Sequence, residues 1–280
     1  MFGSHLSIAG GMHHAVVAAE KLHMDTVQVF TKNQQQWRIS PLPPDAVKKW
    51  KEETRRVNFQ FTVSHDSYLI NLASPDDALW RKSIDLFVQE IARCKVLGIP
   101  YLVTHPGAHV ESGEEAGLRR IARALDEVHS QIAADCVTCL EITAGQGSSL
   151  GYKLEHLAEI IERVKSPKRL GVCLDTAHLF AAGYDIRGRK YAAFRRRLES
   201  TVGIERVKVL HLNDSKKELG SRVDRHEHIG HGKIGVEGFR PFVRDKAFKN
   251  IPKILETPKL KHPSGREWDE VNLEVLRGLM

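Results

Sequence analysis

Leu170-Gly171-Val172-Cys173-Leu174-Asp175-Thr176-Ala177-His178 decides how this chain is read. An apolar run of strand length ends in a carboxylate, and a histidine follows three residues later. Short apolar runs bounded by polar or turn residues suit strands buried on both faces. The pattern repeats on either side. Phe61–Ser64 runs into His65, Tyr101–Thr104 into His105, and Thr138–Ile142 contains Glu141. Val207–Leu212 contains His211 near its end, and Lys253–Leu255 stops at Glu256. Gly3–Leu6 and Thr26–Phe30 complete a set of eight strand candidates.

Amphipathic stretches fill the gaps: Pro44–Val57, Asp76–Leu97, Gly113–Ala134 and Leu154–Val164 predict helices. Pro44 suits a first helical turn, and Gly98 suits a helix stop. Strands alternating with helices imply parallel pairing and right-handed crossovers. Eight such units predict a single closed (β/α)8 TIM barrel over residues 1–280, with its active site at the C-terminal rim. An open doubly wound sheet is the alternative, but no G-x-G-x-x-G opens a helix after the first strand.

Composition agrees. Of the 280 residues, 41% are hydrophobic and 28% charged, enough apolar material for a large core and no mark of disorder. The N-terminal residues show no signal-peptide pattern, and no apolar run reaches the ~18 residues of a membrane span. A cytoplasmic protein is expected. Cys136 and Cys139 form a C-x-x-C without a second pair, and with Cys94 and Cys173 they are read as packed free thiols in a reducing compartment. The net charge of +7 suits a polyanionic partner. Arg195-Arg196-Arg197, on a helical stretch with Phe194 and Leu198, is read as a solvated helix face.

Six successive strands thus deliver His65, His105, Glu141, Asp175, His211 and Glu256 to one rim. Any one of them could be an ordinary hydrogen-bonded residue. Together they would bury several unpaired polar groups at a cost of a few kcal/mol each, which metal ions would relieve. His178 follows Asp175, and the loop after the seventh strand offers Asp224 and His226. Five histidines and four carboxylates supply three ligands each to three metals. Nitrogen and oxygen donors suit Zn²⁺, with Mn²⁺ or Fe²⁺ as substitutes. Three divalent ions against four carboxylates leave a net charge of two positive, suited to a phosphate ester and to a water acidified to a pKa near ~7.

At these residues the chain resembles the endonuclease IV family of abasic-site DNA endonucleases. The resemblance runs nearly end to end, through Phe30-Thr31-Lys32-Asn33-Gln34, His65-Asp66-Ser67-Tyr68-Leu69-Ile70-Asn71-Leu72 and His105-Pro106-Gly107. It continues in Glu141 with Thr143-Ala144-Gly145-Gln146-Gly147, then Cys173–His178, His211-Leu212-Asn213-Asp214-Ser215-Lys216, Asp224-Arg225-His226 and Leu255-Glu256-Thr257-Pro258.

The resemblance implies a trinuclear zinc barrel that hydrolyses the phosphodiester 5′ to an abasic site, leaving a 3′-hydroxyl and a 5′-deoxyribose phosphate, and that also clears blocked 3′ ends. It implies His65, His105 and Glu141 on one metal, with Glu141 bridging to a second held by Asp175, His211 and Glu256. His178, Asp224 and His226 would hold the third. Glu141, Glu256, His105 and Asp175 are the expected catalytic groups. Tyr68 and Leu69 would wedge into the stack at the lesion, and Gln35, Gln36, Lys216 and Arg225 are expected DNA contacts, with Asn33, Gln34, Trp37 and Arg222 nearby. Gln35 stands where the family pattern often has arginine. His228 and His231, beside the third ligand group, are expected to be exposed, with contact to DNA phosphate as the alternative. The partner would be double-stranded DNA containing abasic sites, bound by a monomer.

Two rivals remain at this stage. A sugar isomerase or epimerase on the same barrel would use one or two ions held mainly by carboxylates, so a zinc count would separate it. A catalytically silent DNA-binding protein should have lost ligands, whereas all nine are present.

Overall fold

The computed structural model describes residues 1–280. Eight parallel strands close into a barrel: Phe2–His5, Thr26–Phe30, Val63–His65, Tyr101–Thr104, Val137–Glu141, Leu170–Asp175, Val207–His211 and Lys253–Leu255. Each pairs with its sequence neighbours, and the ring closes where Phe2, Gly3 and Ser4 meet Lys253, Ile254 and Leu255. The eight expected strands are all present, and Thr26–Phe30, Tyr101–Thr104 and Lys253–Leu255 keep their expected ends while the others shift by one or two residues. The third begins at Val63 and takes in His65, and the sixth extends through Asp175.

The expected helices span Pro44–Arg56, Asp77–Leu97, Glu114–Gln131 and Leu154–Arg163. Asp76 caps the second of these by accepting from the Leu79 N–H. Gly98 ends it in a left-handed conformation (φ 73°), which costs a glycine little. The Arg195–Arg197 run lies on the helix Tyr191–Thr201, with Phe194 and Leu198 buried beneath it. Arg195 pairs with Glu199 and Asp245, and Arg197 with Glu155, as a solvated helix face would.

Two apolar layers support the rim. Helices pack on the outside of the barrel through a large continuous core. Inside the barrel, Val63, Val103, Cys139, Cys173, Val209 and Ile254 form a separate plug, one residue from each of strands three to eight. That plug floors the rim with low-dielectric material, which strengthens every electrostatic interaction above it. All four cysteines are buried and free. No helix is long and apolar enough to cross a membrane.

One element was not expected. Asp214–Ser215 pairs antiparallel with His226–Glu227, so the loop after the seventh strand folds back over the rim as a two-stranded ribbon.

Candidate metal centre and nucleic-acid interface

Each strand end places its polar residue by one rule. Side chains alternate along a strand, and the last residue before the loop can turn inward over the barrel mouth. Glu141, wholly buried, stands at the middle. Its Oε2 lies 3.2 Å from His65 Nε2 and 3.3 Å from His105 Nε2. Its Oε1 lies 3.1 Å from His211 Nδ1 and 3.2 Å from His178 Nδ1. Glu256 Oε2 approaches His211 Nδ1 at 3.1 Å. Asp224 meets His178 Nε2 at 3.1 Å and His226 Nε2 at 3.3 Å.

The nine residues therefore converge. Ligand atoms lie within 4.8 Å of one another in the sets His65/His105/Glu141, Glu141/Asp175/His211/Glu256 and Asp175/His178/His226. Glu141 belongs to the first two sets. Asp175, expected in the second set alone, also borders the third, with Oδ2 3.6 Å from His226 Nε2.

Hydrogen bonds outside the cluster orient the rings, as such partners commonly do around metals. His65 Nδ1 donates to the Asp66 carbonyl, His178 Nδ1 to the Ile142 carbonyl and His226 Nδ1 to the Glu256 carbonyl, at 2.9–3.1 Å. All three thus turn Nε2 into the cluster, where His178 Nε2 and His226 Nε2 stand only 3.4 Å apart. Asn213 clasps two ligands, donating to Asp175 Oδ2 and accepting from the Glu256 N–H. The Asp175 carboxylate also caps the short helix Thr176–Ala181, accepting from the His178 N–H at 2.8 Å.

The electrostatics call for cations. Burial alone would lower the His65 pKa, yet Glu141 and its neighbouring carboxylates lift it to about 9. Burial likewise opposes charge on His178 and His211, and is overcome chiefly by Asp175 and Asp224 for the first and by Cys173, Glu256 and Glu141 for the second. Glu141 and Glu256 are held well below the carboxylate range by the histidines in spite of burial. Buried carboxylates facing convergent imidazole nitrogens demand either protons or metal ions, and the donor set fits divalent metals. Cys173 borders Glu141 and His211, and burial pushes its thiol up to about 12.

Beside the cluster opens a cleft of about 640 Å³, lined by His5, Phe30, Asn33, Gln34, Tyr68, Glu256 and Lys259 among others. Tyr68 is 62% exposed and stands edge-on to Phe30, with ring centroids 5.6 Å apart. Leu69 beside it is half-buried. Asn33, Gln35 and Gln36 are exposed on the loop after the second strand, which is tied to the Tyr68 loop where Ser67 donates to the Gln34 carbonyl at 2.6 Å. Trp37 is half-buried with Lys82 over its ring. Lys216 and Arg225 are exposed, and Arg222 stacks over the Tyr152 ring.

One expectation is corrected. His231 is exposed, but His228 is buried: its ring stacks on Trp268 at 3.8 Å and is bonded to Asn272. The indole comes from the last helix, and nothing local to His228 announces it. Sequence reasoning also passed over His5, Gln28 and Asn213. His5 ends the first strand and obeys the same rule that selected the other rim residues. Gln28 interrupts the otherwise apolar end of the second strand, the one local sign of its role.

Comparison with known proteins identifies the class and then the family. A sequence profile of the xylose isomerase-like TIM barrel matches residues 16–278. A protein of Chloroflexus aurantiacus named probable endonuclease 4 is 48% identical over 281 residues, covering 100% of this chain and 98% of its own. The crystal structure of endonuclease IV from Thermus thermophilus superposes with a TM-score of 0.86 at 36% identity, covering 99% of this chain and 98% of that one. A D-tagatose 3-epimerase-like protein shares the fold alone, with a TM-score of 0.73 at 20% identity over 99% of this chain and 96% of its own. The chain is a xylose isomerase-like TIM barrel, and within that class it belongs to the endonuclease IV family. It is a DNA-cleaving hydrolase.

Proposed function

We propose that this enzyme is an abasic-site endonuclease of base excision repair. It hydrolyses the phosphodiester 5′ to an abasic site, leaves a 3′-hydroxyl and a 5′-deoxyribose phosphate, and clears blocked 3′ ends. The observation that carries this reading is the meeting of three overlapping ligand sets at one rim, with Asp224 set against both histidines of the third, beside a cleft edged by an exposed tyrosine. A third ion would be superfluous for isomerising a sugar.

His65, His105 and Glu141 would hold one divalent ion. Glu141, Asp175, His211 and Glu256 would hold a second, and His178, Asp224 and His226 a third. Zinc suits these donors. Bound divalent ions would neutralise the scissile phosphate and acidify the attacking water. The chain's own residues arrange the rest. Glu141 and Glu256, with His105 and Asp175, set the spacing of positive charge that the phosphate meets. Tyr68 and Leu69 enter the base stack where a missing base has already weakened it. Gln35, Gln36, Lys216 and Arg225 hold the duplex through contacts that read no sequence. No side chain serves as nucleophile. The enzyme acts as a monomer in the cytoplasm, since one barrel presents the whole DNA-facing rim.

The deciding experiment incubates purified protein with a labelled duplex carrying one abasic analogue, before and after prolonged chelation. A single cut 5′ to the lesion, lost on stripping and restored by zinc, is expected. Fully metallated protein that leaves the duplex intact would overturn the reading and turn attention to ketoses and aldoses.

A further inference from the structure

Gln28 sits within the second strand, fully buried, between the apolar Val27 and Val29. Its carboxamide meets three side chains from three other places on the barrel. Oε1 accepts from His211 Nε2 at 2.9 Å. Nε2 donates to Glu256 Oε1 at 2.6 Å and to His5 Nδ1 at 2.9 Å. The amide nitrogen therefore faces Glu256 and His5, which themselves lie 3.3 Å apart, and the amide oxygen faces His211.

Only one orientation of the amide is acceptable. Rotated by half a turn, its oxygen would face the Glu256 carboxylate at the same short distance, lone pair against lone pair. With the oxygen fixed towards His211, the hydrogen of that ring must sit on Nε2. Nδ1 then faces the cluster, 3.1 Å from both Glu141 Oε1 and Glu256 Oε2. His65, His178 and His226 have the opposite arrangement, with Nδ1 set by a backbone carbonyl. His211 has Gln28 in the place of that carbonyl.

We propose that Gln28 is a positioning residue of the metal centre. It holds His211 in the Nε2–H tautomer and steers the Glu256 carboxylate towards the same point, with His5 Nδ1 beside both the amide nitrogen and Glu256. The inference rests on the metal-centre reading and deepens it: two ligands of one ion are fixed by a side chain that touches neither metal nor substrate. A glutamate here would keep the acceptor for His211 but set a second carboxylate against Glu256. A methionine would keep the volume and lose all three hydrogen bonds.

The test loads wild type, Gln28→Met and Gln28→Glu with zinc. It measures zinc per chain, the rate of zinc transfer to a chromophoric chelator, and the nitrogen-15 signals of the His211 ring, with circular dichroism to report the fold. Gln28→Met should bind part of its zinc roughly 10–100-fold more weakly, the usual range for losing such a partner, release it faster, and lose the single Nε2–H signal of His211. Gln28→Glu should also release zinc faster, yet keep that signal. Wild-type release rates with an unchanged His211 tautomer in Gln28→Met would overturn the inference. If Gln28→Met does not fold, loss of the Nε2–H signal in folded Gln28→Glu would overturn it as well. Wild-type protein that takes up no zinc would instead overturn the metal-centre reading, and this inference with it.

Discussion

Glu141 and His211 face each other at 3.1 Å, both wholly buried, although 70 residues separate them in the chain. Their neighbours on the cluster, His65 and Glu256, stand on other strands again. Replacing either neighbour tests the centre without touching the barrel core. His65→Ala and Glu256→Gln should each remove several kcal/mol of transition-state stabilisation, on the order of a thousandfold or more in kcat/KM. Circular dichroism should stay that of the wild type. Near-normal turnover in both variants would refute the ligand assignment.

Metal removal should make stability depend on pH. In the metal-free chain the His65 pKa is raised to about 9, and those of His178 and His211 are raised as well. A base whose folded pKa is raised adds stability that is complete below its unfolded value near 6.5 and disappears as pH climbs through the folded value. Stripped protein should therefore lose melting temperature between about pH 6.5 and 9, while zinc-loaded protein should not. Zinc uptake at pH 7 must also expel protons, which calorimetry in buffers of different ionisation enthalpy would count. Uptake with no proton release would contradict this picture.

Acid should act elsewhere. His129, packed at the far end of its helix, has its pKa lowered to about 4 by burial and by Arg169. The unfolded chain binds that proton near pH 6.5, so stability should fall as pH drops from 6.5 towards 4. Urea titrations of wild type and His129→Gln should differ in slope over that window, and parallel curves would exclude His129 as the cause.

Tyr68 offers a test of lesion recognition. Its ring is exposed and stands edge-on to Phe30, and under the proposed function it would stack in the gap left by a missing base. Tyr68→Ala should weaken binding to abasic duplex by about 1–3 kcal/mol, with little effect on intact duplex. Equal losses on the two duplexes, read by fluorescence anisotropy, would argue against a wedge.

Asp214 governs the loop that carries Asp224 and His226. Its buried carboxylate accepts from the backbone N–H groups of Ser215, Gly230, Gly232, Ile234 and Gly235. A Cβ at position 232 would collide with that carboxylate, so glycine is required there. Hydrogen bonds to a charged acceptor are worth about 1.5–3 kcal/mol each. Asp214→Ala should cost about 3 kcal/mol or more in urea unfolding and loosen the third ligand set. Zinc content near two per chain is the expected result, and full retention of zinc with normal stability would rule out this role.

The sequence by itself determined the alternation of strand and helix, the eight strand positions and the identity of the rim residues. Those features are local: an apolar run marks a buried strand, and the polar residue that ends it, His65 or Glu256, reaches the rim wherever the strand packs. Helix limits at Pro44 and Gly98 are equally local, set by backbone conformations that few other residues favour.

Tertiary structure alone decided how those residues meet. Gln28 reaches Glu256 across 228 positions of sequence because the barrel closes between its first and last strands. The nitrogen that each histidine presents depends on the carbonyl or amide behind it, so His211 differs from His65, His178 and His226. His228, read as exposed, lies under Trp268 from the final helix. Asp175 borders two ligand sets because the ribbon folds His226 back over the rim. Each of these is a contact between segments far apart in the chain, and such contacts depend on packing that no local pattern encodes.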